Sequence, residues 1–273
     1  MKREKLNWNS ILLSTLLLVL YIPACGAFKN ANSSKPYCKD CNIIFIGIDT
    51  LRADHVSGYG YYRQTTPHID NLMNISYVFK NAISTSSWSL PSFMSIFTSL
   101  YPSKHSVKNI YIRENGTLSV VNIKKLHPEI KLLAEVLTDA GYSSVAFTGA
   151  GGIQGRFGFE SGFQIYHESS NFTGFESTIP KALRWIDKNK NKKFFLFVHG
   201  YDAHGRFITD DNYSGIFHIA NYKGIYRGTK EQQIKLRNMS LEVIPLNLPS
   251  DDMEFWINLY DSKVFDVDQR FGE

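Results

Sequence analysis

The chain has 273 residues, 43% hydrophobic and 14% aromatic, with a formal net charge of +5. Such a chain can fill the core of one large α/β domain or two small ones, which excludes a disordered protein. Its charge is mild, and its lysines are scattered apart from KNKNKK at 188–193, which argues against a nucleic-acid-binding surface. The first elements form a targeting segment. MKREK is a basic start, ILLSTLLLVLYI (11–22) is an apolar stretch short for a bilayer span, and small residues follow. The exit IPAC resembles a bacterial lipoprotein box, so residues 1–25 read as a lipoprotein-type signal peptide with Cys25 lipidated as the mature N-terminus. An ordinary cleaved signal peptide and a single anchor helix are the alternatives, Pro23 being unusual for a lipobox. Each of them exports the domain, to the bacterial periplasm or cell envelope, with membrane association through the lipid on the first reading.

Residues 26–41 are small and polar and read as a tether. They end in CKDC, where Cys38 and Cys41 suit a structural disulfide in an oxidising compartment better than redox chemistry or zinc. The domain proper runs over 42–273. NIIFIGID (42–49), SSVAFTG (143–149) and KKFFLFVHG (192–200) are near-continuous apolar runs, as expected of parallel strands covered on both faces. Helical patterns at 128–141 and 176–190 lie between them. This alternation predicts an α/β sandwich with a mainly parallel central sheet. Ligands in such sheets gather at the carboxyl ends of strands, where Asp49 and residues 199–204 fall. Residues 205–250 show no strong period and read as an insertion or lid. Residues 251–273 have helical spacing without a terminator, so the domain reads as incomplete at its C-terminus.

Three segments together resemble the sulfatase branch of the alkaline phosphatase superfamily: IIFIGIDTLRADHVSGYGYYRQTTPHIDNL (43–72), SSWSLPSFMSIFTSLYPSKHSV (86–107) and FFLFVHGYDAHGRF (194–207). LYDSKVFDVDQRFGE (259–273) is similar to the helix before that family's last metal-ligand segment. The resemblance implies a three-layer α/β/α fold of alkaline-phosphatase type, a divalent cation (Ca²⁺ or Mg²⁺), and a sulfate or phosphate ester substrate. A cation with oxygen ligands neutralises the ester oxygens, and Asp49, at the mouth of a buried strand, is the candidate ligand. Asp49 could instead cap the following turn. Thr50 stands where the family often has a second acid. Arg52 and Asp54 are either support for the metal or a surface ion pair.

The family's nucleophile pattern is Cys or Ser, any residue, Pro, Ser, Arg. Here it reads Ser89-Leu90-Pro91-Ser92-Phe93. Ser89 takes the nucleophile position, as formylglycine if modified, and Phe93 in place of arginine counts against that modification. Ser89 could also be only the cap of the helix that follows. His204 takes the place of the histidine that meets the substrate anion or leaving group, with Arg206 as added positive charge and Asp202 as its orienter. His199 reads as filler behind the strand. In TGAGGIQGRFGFESGF (148–163) Arg156 is the lone cation, and Gly151 and Gly152 could offer backbone N–H groups to an anion. The implied activity is sulfuric ester hydrolysis, with negligible turnover by the chain alone. A phosphodiesterase or phosphotransferase using unmodified Ser89 is the alternative enzyme. A non-catalytic sulfated-glycan-binding protein is the alternative outside enzymes. Oligomeric state is not legible.

Overall fold

Apolar β-branched and aromatic residues build a parallel sheet in which buried runs become central strands. A computed structural model describes residues 41–108, 110–114, 117–121, 124–169, 172–205, 216–217, 222–242 and 244–273. The chain divides into two units, 1–41 and 42–273, and the second holds every element below. In chain order these are β1 (Ile43–Ile48), α1 (Pro67–Met73), α2 (Ser89–Thr98), α3 (Pro102–His105), β2 (Ile110–Glu114) and β3 (Thr117–Val121). There follow α4 (Leu133–Asp139), β4 (Ser143–Thr148), β5 (Ile165–Glu168), α5 (Phe175–Lys188), β6 (Phe194–Gly200), α6 (Lys230–Leu241) and α7 (Ser250–Gly272). Strand order is β1-β6-β4-β5 and every pairing is parallel. β2 and β3 form a separate antiparallel hairpin. Cys41, just before β1, is disulfide-bonded. Cys25, Cys38 and Arg206 lie outside the described residues, as do the signal segment and all of the tether before Cys41.

β6 explains the layering. All seven of its residues are buried, and its side chains alternate between faces. Phe195 and Phe197 pack with Leu90, Phe93, Met94 and Phe97 of α2 and with Leu132 and Ala134 at the start of α4. Phe194, Leu196 and Val198 pack with Phe175 and Ala182 of α5 and with Val267 of α7. The result is a three-layer α/β/α sandwich, the class the sequence predicts.

Three expectations change. β1 is not covered on both faces: Ile44 and Ile46 point to an exposed face, while Ile43 and Phe45 on the other face are half-buried. The stretch 205–250 contains a helix, α6, whose Thr229 and Gln232 close a capping box. β5, which the sequence does not announce, is a four-residue strand too short to show a period. Among the described residues no helix is long and apolar enough to cross a membrane.

Candidate functional site

The strand end of β1 sets the first group. Asp49 N–H donates to Gly200 O at 3.0 Å, which extends the ladder by one residue. Thr50 then turns left-handed at φ 58°, a conformation costly for a β-branched residue and one that ends the strand. Helix α7 holds that turn: Tyr260 hydroxyl donates to Thr50 O at 2.8 Å and accepts from Arg52 N at 2.9 Å. The Asp49 carboxylate is thereby buried at 3% exposure, and its Oδ1 has no hydrogen-bond partner. It makes no cap of the following turn.

Ser89 stands across from it at the start of α2. Trp88, not Ser89, is the N-cap residue, and no side chain caps the helix. The cap reading of Ser89 therefore gives way. Ser89 and Tyr201 both border Gly152, whose added Cβ would lie 3.1 Å from Ser89 Cβ and 3.3 Å from the Tyr201 hydroxyl. Tyr201 follows β6 directly and accepts a 2.7 Å hydrogen bond from Gly152 N–H. Gly152 packs tightly here: the same Cβ would also sit 3.1 Å from Leu90 N. Burial, with the nearby Asp49 charge adding to it, pushes the Tyr201 phenol well above its ordinary pKa, so it stays protonated. Asp49 and Tyr201 thus lie at the carboxyl ends of β1 and β6, with Ser89 beside Gly152 at the start of α2.

His199, expected as filler behind the strand, is packed among Phe93, Phe197 and Tyr201. It is fully buried, and its Nε2 lies 3.7 Å from Asp49 Oδ2. Burial lowers its pKa and keeps the imidazole neutral. Tyr201 was missed altogether. The signal available for both was the strand run FFLFVHGYDAH, in which polar groups sit at the same end as Asp49.

His204 is half-buried in the turn after β6. Its ring stacks on Phe172 at 5.3 Å and meets the Tyr201 ring edge-on at 5.5 Å. Asp202 does not orient it. Both Asp202 oxygens accept from Phe175 N–H at 2.9 Å, at the start of α5, and burial raises this carboxyl to about 6. Arg52 and Asp54 form an exposed ion pair at 2.6 Å, the surface alternative. Arg156 lies over Phe157, and the Gly152 N–H is spent on Tyr201 rather than offered to an anion.

Beside this group opens a cleft of about 570 Å³ lined by Thr50, Arg52, His55, Ala203, Gly205, Trp256, Ile257 and Tyr260. It adjoins Asp49 and His204 along the chain, yet its lining includes neither of them, nor Ser89. The orphaned Asp49 Oδ1 is the observation that fits a divalent cation, since a buried acceptor without a partner costs free energy that a cation would offset. Among the described residues no group of three or more His, Cys, Asp or Glu converges, so the donor set seen is partial.

A parallel sheet between helical layers, with a carboxylate, a helix-start serine and a histidine at its carboxyl end, defines the alkaline-phosphatase-like fold. The sulfatase family model matches residues 41–269, and the chain belongs to the sulfatase family. It is similar to an N-acetylgalactosamine-6-O-sulfatase of Bacteroides thetaiotaomicron, 33% identical over 113 residues, covering 41% of this chain and 20% of that protein. It is also similar to an N-acetylglucosamine-6-O-sulfatase of the same organism, 24% identical over 254 residues, covering 82% of this chain and 43% of that protein. The chain thus spans less than half the length of these curated relatives. A solved structure in complex with its substrate D-glucosamine-2-N,6-O-disulfate aligns with a TM-score of 0.60 at 17% identity, over 86% of this chain and 61% of that one.

Proposed function

We propose that the chain carries the nucleophile side of a metal-dependent sulfuric ester hydrolase, exported and lipid-anchored at Cys25. Asp49 holds a divalent cation, for which an oxygen-only donor set points to Ca²⁺ or Mg²⁺. When bound, that cation neutralises ester oxygens and lowers the pKa of a coordinated nucleophile. Ser89, as formylglycine in its hydrated form, attacks sulfur in line. His204 donates a proton to the departing oxygen, and Arg206 adds positive charge for the anion. The cleft between Thr50 and Trp256 takes the rest of the substrate, a 6-O-sulfated amino sugar by analogy with the curated relatives. Its aromatic walls with a few polar groups suit a small polar ligand.

What supports this reading is the buried Asp49 oxygen that has no hydrogen-bond partner, at the carboxyl end of β1. Saturation-transfer NMR with N-acetylglucosamine 6-sulfate tests it. Signal is expected in the presence of divalent cation and lost with EDTA or in Asp49→Ala. Binding indifferent to both would overturn it. Whole-enzyme turnover belongs to a protein of the relatives' length, and this chain alone gives negligible sulfate release. Phe93 in place of the family's arginine favours a second reading, in which unmodified Ser89 attacks a phosphate ester. Mass spectrometry of the Ser89 peptide separates the two, because only the first carries an aldehyde there.

A further inference from the structure

His55 lines the cleft, and one of its ring nitrogens is already committed. Asp261 Oδ1 lies 2.6 Å from Nδ1. Asp261 also accepts from Tyr61 hydroxyl at 2.7 Å and from Arg63 Nη1 at 2.6 Å, and a carboxylate paired with a guanidinium only accepts. Nδ1 therefore carries the hydrogen, which leaves Nε2 as the bare nitrogen of the neutral ring. Neighbouring rings hold the imidazole in place: Tyr61 tilts against it at 4.7 Å, and Tyr260 meets it edge-on at 4.8 Å. Thr65 hydroxyl ties down the backbone by donating to His55 O at 2.6 Å. The residue is only 9% exposed. Even so, Nε2 takes no hydrogen bond among the described residues and, unlike the ring nitrogens of His199, is not sealed from solvent. An accessible nitrogen on a ring that walls the cleft, turned away from Asp261, opens onto that cleft.

We infer that His55 is a specificity-determining residue of the cleft: its Nε2 accepts a hydrogen bond from a ring hydroxyl of a sugar seated there, and Asp261 is the positioning residue behind it. This selectivity rests on the proposed seating of the sugar in the cleft and names the group chosen there. A bare ring nitrogen needs a partner that brings a hydrogen. A hydroxyl does so, whereas a sulfate ester or a methyl ether at the same position only accepts and would leave Nε2 desolvated and unpaired. The rest of the lining suits a pyranose. Trp256, Ile257 and Tyr260 supply apolar and aromatic surface for a sugar face, and the cation on the rim, Arg52, is engaged with Asp54 at 2.6 Å. The ring is ordered before any ligand arrives, so binding does not have to order it. Tying α7 to the loop after β1 requires Nδ1 alone; an accessible Nε2 is left over for a ligand.

NMR of the full chain labelled with ¹⁵N-histidine tests this without an activity assay, with the His55 ring assigned through its contacts to the Tyr61 and Tyr260 rings. The free protein should show a His55 imidazole protonated at Nδ1 and bare at Nε2. N-acetylglucosamine 6-sulfate, added with Ca²⁺, should move the Nε2 resonance in the direction of a hydrogen-bonded nitrogen. Of its mono-O-methyl ethers at the free ring hydroxyls, one should bind about three- to tenfold more weakly than the parent, the loss of one neutral hydrogen bond. His55→Asn keeps an N–H donor for Asp261 and deletes Nε2, so it should bind the parent more weakly by the same factor and no longer distinguish that ether. A sugar that binds and leaves Nε2 unmoved overturns the role of His55 and leaves Asp49 as a cation holder. Discrimination between parent and ether that persists in a folded His55→Asn chain does the same, as does a free imidazole carrying its hydrogen on Nε2. A sugar that does not bind at all overturns both readings. If the variant does not fold, the wild-type spectrum still decides.

Discussion

Two buried aspartates, Asp49 at the end of β1 and Asp261 in α7, have opposite surroundings. Asp261 of α7 is completely buried and fully partnered. Its Oδ1 lies 2.6 Å from His55 Nδ1, and its Oδ2 accepts from Tyr61 hydroxyl at 2.7 Å and Arg63 Nη1 at 2.6 Å. Asp49, at the end of β1, is nearly as buried and has an oxygen with no partner. A carboxylate only accepts, so the Asp261 oxygens are satisfied by protein N–H and O–H groups, and the cluster staples α7 to the loop after β1. Burial of Asp49 lacks that compensation within the protein. The contrast separates an acid whose oxygens the protein satisfies from one with an orphaned oxygen, more sharply than burial alone does.

Removing the satisfied acid should have the largest effect. Asp261→Ala strips Arg63, His55 and Tyr61 of their common acceptor and leaves a cation against a closed surface. Loss of one partner from a buried pair costs about 3–5 kcal/mol, so urea unfolding should show a decrease of that size. A loss below about 1 kcal/mol, the range of a surface pair, would break the comparison at its structural end.

Asp202 stands between the two extremes, with partners that are neutral N–H groups only. Its folded pKa of about 6 lies above the ordinary 3.8, burial outweighing the Phe175 hydrogen bonds. The folded state therefore holds a proton that the unfolded chain has released. The stabilisation this gives is complete below pH 4 and is lost as pH rises through 6, a change on the order of 2–3 kcal/mol. Thermal melts of the wild type should fall across that window, and Asp202→Asn should flatten the fall. A wild type whose melting temperature rises from pH 4 to 7 by the same amount in both proteins would show that Asp202 is ionised throughout.

Most of the sheet was legible because β6 and β4 are buried on both faces and read as unbroken apolar runs. β1 read the same way and yet exposes Ile44 and Ile46, because composition does not reveal which face of a strand goes uncovered. Asp49 and Ser89 were legible from the residues around them. The neighbourhoods of Tyr201 and His199 were not, since they come from pairing: His199 lies 3.7 Å from Asp49 because β6 runs beside β1 in a register that sets Gly47 against it. Asp261 was illegible for the same reason, lying about two hundred residues along the chain from the groups it binds. Asp202 beside His204 suggested a pair, and the helix start at Phe175, distant in sequence, took the carboxylate instead.

Asp49→Asn should have the smallest effect on the fold and is the sharpest probe of the contrast. Asparagine keeps the shape and removes a buried charge that no protein group satisfies. Without divalent cation, stability should therefore stay within about 1 kcal/mol of wild type, on the stabilising side if it moves at all. With cation the order reverses. A ligand that binds the folded state at about one hundred times its Kd adds about 2.7 kcal/mol, so the wild type should melt higher in Ca²⁺ than in EDTA while Asp49→Asn melts alike in both. Calorimetry of the two proteins under the two conditions reads this directly. If Asp49→Asn instead loses several kcal/mol in EDTA, as Asp261→Ala should, the Asp49 carboxylate is structural. The distinction between the two aspartates then fails, and the cation reading built on it fails as well.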